Sequence, residues 1–274
     1  MGALYVVATP IGNLQDITRR ALDILTSVDL ILAEDTRVTQ TILNFYHIHN
    51  RLESYHKFSE AAKLSQVIDE LKAGRSMALV SSAGTPCVSD PGSRLVHEAS
   101  LAGIPVVPIP GASALTTALS VLGFDYSGVY FLGFLPRKQS EINALFCENQ
   151  FPEKTVMMFY ESPNRLIKTI EFLKQILEDD DIVIFRELTK VYEEIIRGKL
   201  HSFDPSSIQT LKGEIVVAIL LNESRRREKK STNAMISSIL ERLDAGEPIK
   251  PLSEELASAL NISKRMTYQL LLRR

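Results

Sequence analysis

Through the first 122 positions, short apolar runs alternate with longer amphipathic stretches. Leu4–Ala8, Leu30–Ala33, Met77–Val80 and Val106–Ile109 are continuous apolar runs of strand length, the pattern of strands buried on both faces. Asp16–Val28 sets Ile17, Ala21, Leu22 and Leu25 at helical spacing behind Asp16 as N-cap, and Glu60–Ala73 and Ser93–Ala102 also read as helices. Strands alternating with helices of this length predict a parallel α/β sheet, whose ligands lie beyond the carboxyl ends of its strands.

The pattern restarts after Gly123-Phe124-Asp125. Val129–Leu132, Thr155–Tyr160, Ile182–Arg186, Val191–Arg197 and Glu214–Leu221 read as strands, with helices at Glu141–Cys147 and Pro163–Leu177. Too few residues separate Ile182–Arg186 from Val191–Arg197 for a crossover helix, so those two should pair antiparallel in a mixed sheet. A charged stretch, Arg225–Lys230, follows. Beyond it, Ser231-Thr232-Asn233 can cap a helix through Leu243 that carries Ile236, Ile239 and Leu240 on one face. Ser253–Leu260 and Ser263–Leu272, joined at Asn261-Ile262, resemble a helix-turn-helix. There Leu252, Leu256 and Leu260 share a face that Met266 and Leu270 can close, with Ser253 and Ser263 as N-caps. The division is thus an α/β domain over 1–122, a second over 123–222, and a linker with a small helical module over 223–274.

Composition narrows the class. With 45% hydrophobic and 23% charged residues in 274, the chain is neither disordered nor a small cross-linked scaffold. Its most apolar run, Ile215–Leu221, falls far short of the ~20 residues a bilayer requires. No basic segment precedes an apolar one at the N-terminus, so a cytoplasmic protein without membrane association is expected. Two cysteines and five histidines without ligand spacing supply neither a disulfide framework nor a metal site. Residues 223–274 hold 11 Lys/Arg against 7 Asp/Glu, a net of +4 that leaves −6 on residues 1–222 out of the overall −2. Such asymmetry fits an appended module that meets an anionic partner, and equally a solvated helical tail.

Four loops, three of them marked by glycine or proline, follow strands of the first domain: Thr9-Pro10-Ile11-Gly12-Asn13, Glu34-Asp35-Thr36-Arg37, Ser81–Pro86 with Ser89-Asp90-Pro91-Gly92, and Pro110–Ala114. Singly each reads as an ordinary turn; together, at one sheet edge, they form a binding rim. No G-x-G-x-x-G follows the first strand and no Walker lysine is present, which argues against NAD- and ATP-dependent chemistry. Arg37 can orient a carboxylate or meet a phosphate, or Asp35 or Thr36 can simply cap a helix. Tyr160–Arg165 and Arg186–Lys190 end strands with clustered charge, which suits either a cleft or a surface turn.

The loops Thr-Pro-Ile-Gly-Asn-Leu, Glu-Asp-Thr-Arg, Ala-Gly-Thr-Pro with Ser-Asp-Pro-Gly, Pro-Gly-Ala-Ser-Ala, Gly-Phe-Leu-Pro, Phe-Tyr-Glu-Ser-Pro, Arg-Glu-Leu-Thr-Lys and Lys-Gly-Glu occur in that order over residues 3–222. Together they closely resemble the bacterial 16S ribosomal RNA cytidine 2′-O-methyltransferases, a branch of the tetrapyrrole methylase superfamily. The resemblance implies a two-domain α/β enzyme, usually a homodimer, that holds S-adenosylmethionine between its domains and acts on 16S rRNA, with the assembled small subunit as substrate. Carried over by motif, the implied cofactor contacts are Ile11; Ala83, Gly84, Thr85 and Val88; Ser113 and Ala114; and Tyr160 and Leu188. Thr85 stands where porphyrin-type members have Asp, so contact there is expected from the backbone. For proton transfer the candidates are Glu187, Lys190 and Glu161. Arg37 and Arg165 suit phosphate anchoring, in one electropositive cleft with Lys190; for each, a domain-interface ion pair is the other reading.

Two positions depart from the family pattern: Ser82 replaces an aspartate of Ser-Asp-Ala-Gly-Thr-Pro, and Asn164 replaces the histidine after Phe-Tyr-Glu-Ser-Pro. Two other functions are compatible with parts of the chain. A tetrapyrrole C-methyltransferase would share fold and cofactor, but it normally carries a Gly-x-Gly-x-Gly-Asp first loop, absent here. A non-enzymatic RNA-binding or ribosome-assembly protein explains the basic tail but leaves the cofactor loops without a purpose.

Overall fold

The computed structural model describes residues 2–149, 151–204, 212–221, 235–260 and 262–272. Its first sheet contains β1 (Leu4–Val7), β2 (Leu30–Ala33), β3 (Leu52–Ser54), β4 (Met77–Val80) and β5 (Val106–Ile109), in the order β3-β2-β4-β1-β5. All its pairings are parallel. Helices α1 (Arg19–Ser27), α2 (Thr36–Phe45), α3 (Glu60–Lys72) and α4 (Ser93–Leu101) make the crossovers. Strand alternation divides the apolar runs between two cores. Leu30, Leu32, Met77 and Leu79 meet α3 and α4 on one face, while Ile31, Ala33, Ala78 and Val80 meet α1 and α2 on the other. Pro108, which cannot donate to a ladder, lies in edge strand β5.

The second sheet has the order β6-β7-β10-β8-β9, from β6 (Gly128–Phe134), β7 (Thr155–Glu161), β8 (Asp181–Arg186), β9 (Glu194–Lys199) and β10 (Ile215–Leu220). It is mixed: β6 and β7 are parallel, and β10 and β9 run antiparallel to their neighbours. One face is buried under α6 (Gln139–Asn143) and α7 (Pro163–Ile176) through Phe159, Leu166, Ile170 and Leu173. The other receives α5 (Ala114–Ser120), the helix that leaves β5 of the first sheet, together with Ile11 and Leu188. The first loop and helix α5, which leave the first sheet, thus pack into a core with the second sheet.

Helix α8 (235–244), α9 (Ile249–Leu260) and α10 (Lys264–Leu272) form a unit with its own small core around Ile239, Leu252, Leu256 and Leu271. Among the described residues no helix is long and apolar enough to cross a membrane.

Several expectations are corrected. Helix α1 starts at Arg19 with Thr18 as its cap, because Thr18 Oγ1 accepts from the Ala21 N–H at 3.2 Å; Asp16 instead ends a 3-10 turn capped by Asn13. Strand β9 begins at Glu194, leaving Val191 and Tyr192 in an exposed turn. Helix α10 buries Thr267 and Leu271, not Met266 and Leu270, which are exposed. Ser253 is no cap: it is buried inside α9 and donates to the Lys250 carbonyl at 2.7 Å, while its own carbonyl accepts from Thr267. Ser263 does accept from the Met266 N–H. The expected cap at residues 231–233, the charged stretch 225–230 and Asn261 lie outside the described residues.

Candidate active site

The carboxyl ends of β1, β2, β4 and β5 face the edge of the second sheet where β6, β7 and β8 end and β10 begins. A cavity of about 420 Å³ opens between them, within the size range of small-molecule sites. Ile11, Ala83, Gly84, Thr85, Val88, Ser113, Ala114, Tyr160 and Leu188 all line it. Residues up to 177 positions apart, from Ile11 to Leu188, are thus brought to one wall-to-wall space.

The loops that carry them are tied to one another. Thr9 and Gly84 form an isolated antiparallel bridge, with N–H···O distances of 2.9 and 3.0 Å. Thr85 Oγ1 donates to the Ala112 carbonyl at 3.2 Å, which links the loops after β4 and β5 and leaves the Thr85 side chain a structural task. Across the gap, Asn13 N–H donates to Thr189 Oγ1 at 3.1 Å. Gly12 makes this approach possible: a Cβ there would fall 2.4 Å from Lys190 Cγ and 3.0 Å from the Leu188 carbonyl oxygen. Four non-glycine residues that flank Val88 and Leu188, namely Cys87, Ser89, Glu187 and Thr189, have φ between 53° and 69°. Each such left-handed residue costs of order 1–3 kcal/mol, so the two loops are held in shape by their surroundings.

The candidate catalytic residues separate. Glu161 lines the cavity, but its buried carboxylate accepts from Thr169 Oγ1 at 2.7 Å and from the Ser162 N–H at 2.8 Å, and it pairs with Arg165 at 3.3 Å. Arg165 in turn donates to the carbonyls of Leu135 and Pro136, at 3.0 and 2.7 Å. Its guanidinium clamps the end of β6 to α7 rather than standing free for a phosphate. Glu187 accepts from Lys190 Nζ at 2.8 Å and from the Glu214 N–H at 3.0 Å. Burial pushes the Glu187 carboxyl up, but those hydrogen bonds and the Lys190 and Arg186 charges outweigh it, and the net shift is downward. Lys190 is likewise pushed down by burial and pulled further up by Glu187 and Glu214. Both stay charged, which makes them an ion pair under the first loop and poor proton acceptors. Arg37 is exposed and makes a two-point bond to Asp35, the cap of α2; that pairing holds the Asp35 carboxyl down at about 2. The capping alternative is the one the geometry adopts.

Three acidic residues escaped the sequence reading as site residues: Glu34, Asp90 and Glu214 also line the cavity. Glu34 accepts from both the N–H and the hydroxyl of Ser82, at 3.1 and 2.7 Å. The Asp90 carboxyl is pushed up to about 6, by burial first, then by the charge of Glu34, with Glu214 adding less and a Ser81 hydrogen bond opposing. All three sit in motifs already visible as loops, but their convergence depends on the fold. Among the described residues the charged lining is wholly acidic, with no Arg or Lys, so the expected electropositive cleft is not what the cavity presents. The lining otherwise alternates apolar walls, such as Ile11, Val88 and Leu188, with carboxylates and hydroxyls. Such a lining suits a ligand that combines a cationic centre with hydroxyl groups.

Comparison with known proteins agrees with this architecture. The profile of the tetrapyrrole (corrin/porphyrin) methylases matches residues 3–204. The chain is 45% identical to a ribosomal RNA small subunit methyltransferase I of Halalkalibacterium halodurans over 219 residues, covering 80% of this chain and 75% of that protein. It is 38% identical to the protein of that name from Bacillus subtilis over 273 residues, 98% of this chain and 93% of that one. Among solved structures, uroporphyrin-III C-methyltransferase of Thermus thermophilus, complexed with S-adenosylhomocysteine, superposes with a TM-score of 0.55 at 15% identity, over 82% of this chain and 99% of that one; this likeness concerns the fold. The chain belongs to the tetrapyrrole methylase family and, within it, to the ribosomal RNA small subunit methyltransferase I group.

Proposed function

We propose that the chain methylates the ribose 2′-oxygen of a cytidine in 16S rRNA with S-adenosylmethionine as donor, acting as a cytoplasmic homodimer on the assembled small subunit. One observation carries the reading: the nine positions that the family motifs mark for cofactor contact converge on a single cavity of suitable size between the two sheets. In this reading residues 1–122 and 123–222 are the two halves of the catalytic unit, and 223–274 serve recognition of the ribosomal substrate.

The residues around the cavity divide the work. Ile11, Val88, Ala114 and Leu188 would shield a bound donor from water, and Glu34 and Glu214 on the same lining would hold its cationic group, Glu214 while also paired with Lys190 at 3.3 Å. When bound, the cofactor supplies a methyl group on a cationic sulfur, so the C–S bond breaks as the C–O bond to ribose forms. The hydroxyl proton then needs an acceptor within reach, and Asp90 is the group suited to it. It lines the cavity and, with its carboxyl raised to about 6, is more basic than an ordinary aspartate yet ionised at neutral pH. Tyr160, raised by burial and then by Asp90 and Glu214, keeps its phenolic proton and can only donate from its hydroxyl while protonated. Calorimetry with S-adenosylmethionine and mapping of ribose methylation in rRNA from a deletion strain test the proposal. Saturable binding and loss of one 2′-O-methyl mark are expected, and an unchanged methylation map would overturn it.

A further inference from the structure

Phe134 ends β6 and is 61% exposed, in the range of other surface aromatics such as Phe45 and Phe58. It is not on a random surface: it lines the cavity. A register shift in the β6–β7 ladder brings it there. Phe131 faces Met158, but Phe134, three residues on, faces Tyr160, only two residues on. The extra residue is a bulge, a device that re-aims a side chain. Gly133, with φ of +63°, takes the turn, and a Cβ there would lie 2.9 Å from Ser89 Oγ. The positive φ favours glycine here, and its missing side chain leaves room for the Ser89 hydroxyl of the strained loop that carries Asp90.

The ring is also held in place. It packs edge-to-face with Tyr160 at a centroid distance of 5.5 Å and 63°, and Tyr160 packs in turn against Phe131 at 5.0 Å and 71°. Immediately beyond, the Arg165 guanidinium grips the Leu135 and Pro136 carbonyls, itself fixed by the buried Glu161. A solvent-exposed aromatic ring, braced by its neighbours, thus lines a cavity whose charged groups are all acidic among the described residues.

We propose that Phe134 is the stacking platform for the target nucleobase, holding the unpaired nucleotide so that its ribose enters the cavity beside Asp90. The proposal rests on the RNA-methylating function above. Enzymes acting on one nucleotide of a folded RNA take it out of the helical stack, and an aromatic face replaces the lost stacking whatever the base. Arg165 and Glu161 then act as positioning residues for the platform.

The test uses the full-length protein and small ribosomal subunits lacking the modification, with steady-state methylation and calorimetry for S-adenosylmethionine. Phe134→Ala should raise KM for the subunit by roughly tenfold or more, leave cofactor affinity within about twofold, and leave the sedimentation behaviour unchanged. Phe134→Leu, which keeps bulk but loses the π-face, should resemble Ala, while Phe134→Tyr should restore near wild-type KM. A Leu variant with wild-type KM, a loss of cofactor binding in the Ala variant, or a change in its oligomeric state would each overturn the assignment. Wild-type protein that binds S-adenosylmethionine but leaves the subunit unmethylated overturns the functional reading, and this inference with it.

Discussion

The chemistry at the residue scale turns on which carboxylates are engaged and which are not. Asp90 has its carboxyl raised to about 6, so in the proposed role of proton acceptor it is blocked by its own proton below that pH and available above it. The rate at saturating substrates should therefore fall on an acid limb centred near pH 6, and Asp90→Asn should lower it by 10²-fold or more and remove the limb while binding S-adenosylmethionine. A variant that keeps the acid limb would assign it elsewhere. Glu161 belongs to the other category. Replacing it by Ala strips partners from the Ser162 N–H, Thr169 and Arg165 together. Because Arg165 is partly exposed, the expected loss is about 2–3 kcal/mol, below the full cost of breaking a buried pair, read by denaturant unfolding. Ser82 shows the same logic in the sequence: its hydroxyl binds Glu34 where an aspartate would add a further negative charge beside Glu34, near Asp90.

Loops between elements, rather than the elements themselves, carry the site. The close contact of Gly12 with Leu188 and Lys190 joins the first loop to the second sheet, so Gly12→Val should lower S-adenosylmethionine affinity by at least tenfold while far-UV circular dichroism stays unchanged. At this scale the apolar runs alone announced β1, β2, β4 and β5: β2 and β4 are buried along their whole length, and edge strand β5 keeps an apolar run although Pro108 is exposed. Short edge strand β3 and helix α2 were not assigned, since Leu52–Ser54 has three half-buried residues and α2 was visible only as a possible cap at Asp35. In α10, Met266 and Leu270 looked like core because hydropathy ranks them above threonine. Thr267 is buried in their place because its hydroxyl finds the Ser253 carbonyl at 2.8 Å, a partner no periodicity announces. The nine motif positions that line the cavity were legible in the sequence. Glu34, Asp90 and Glu214 were not, because three carboxylates on separate loops share a cavity only after folding.

For the whole molecule, the first loop and α5 pack into a core with the second sheet, while α8–α10 close around a core of their own. Removal of residues 223–274 should accordingly leave the thermal transition and S-adenosylmethionine affinity of the remainder within error and reduce methylation of small subunits at limiting substrate. Equal rates for truncated and full-length protein would leave that module without a part in recognition. Lys264 and Arg265 are its described basic residues on α10, and Lys264 is already paired with Glu254.

The acidic lining of the cavity also bears on turnover. In the proposed reaction Glu34, Asp90 and Glu214 on the cavity wall would attract a donor whose sulfur is positive, and that attraction would disappear once the methyl group has left and the sulfur is neutral. The carboxylates thus discriminate between fresh and exhausted cofactor by charge alone, since the two differ by little else, and the protein should resist inhibition by its own by-product. Glu34→Gln should weaken S-adenosylmethionine several-fold and S-adenosylhomocysteine hardly at all. The ratio of the two dissociation constants, measured at low ionic strength where such forces are least screened, is where that difference will be read.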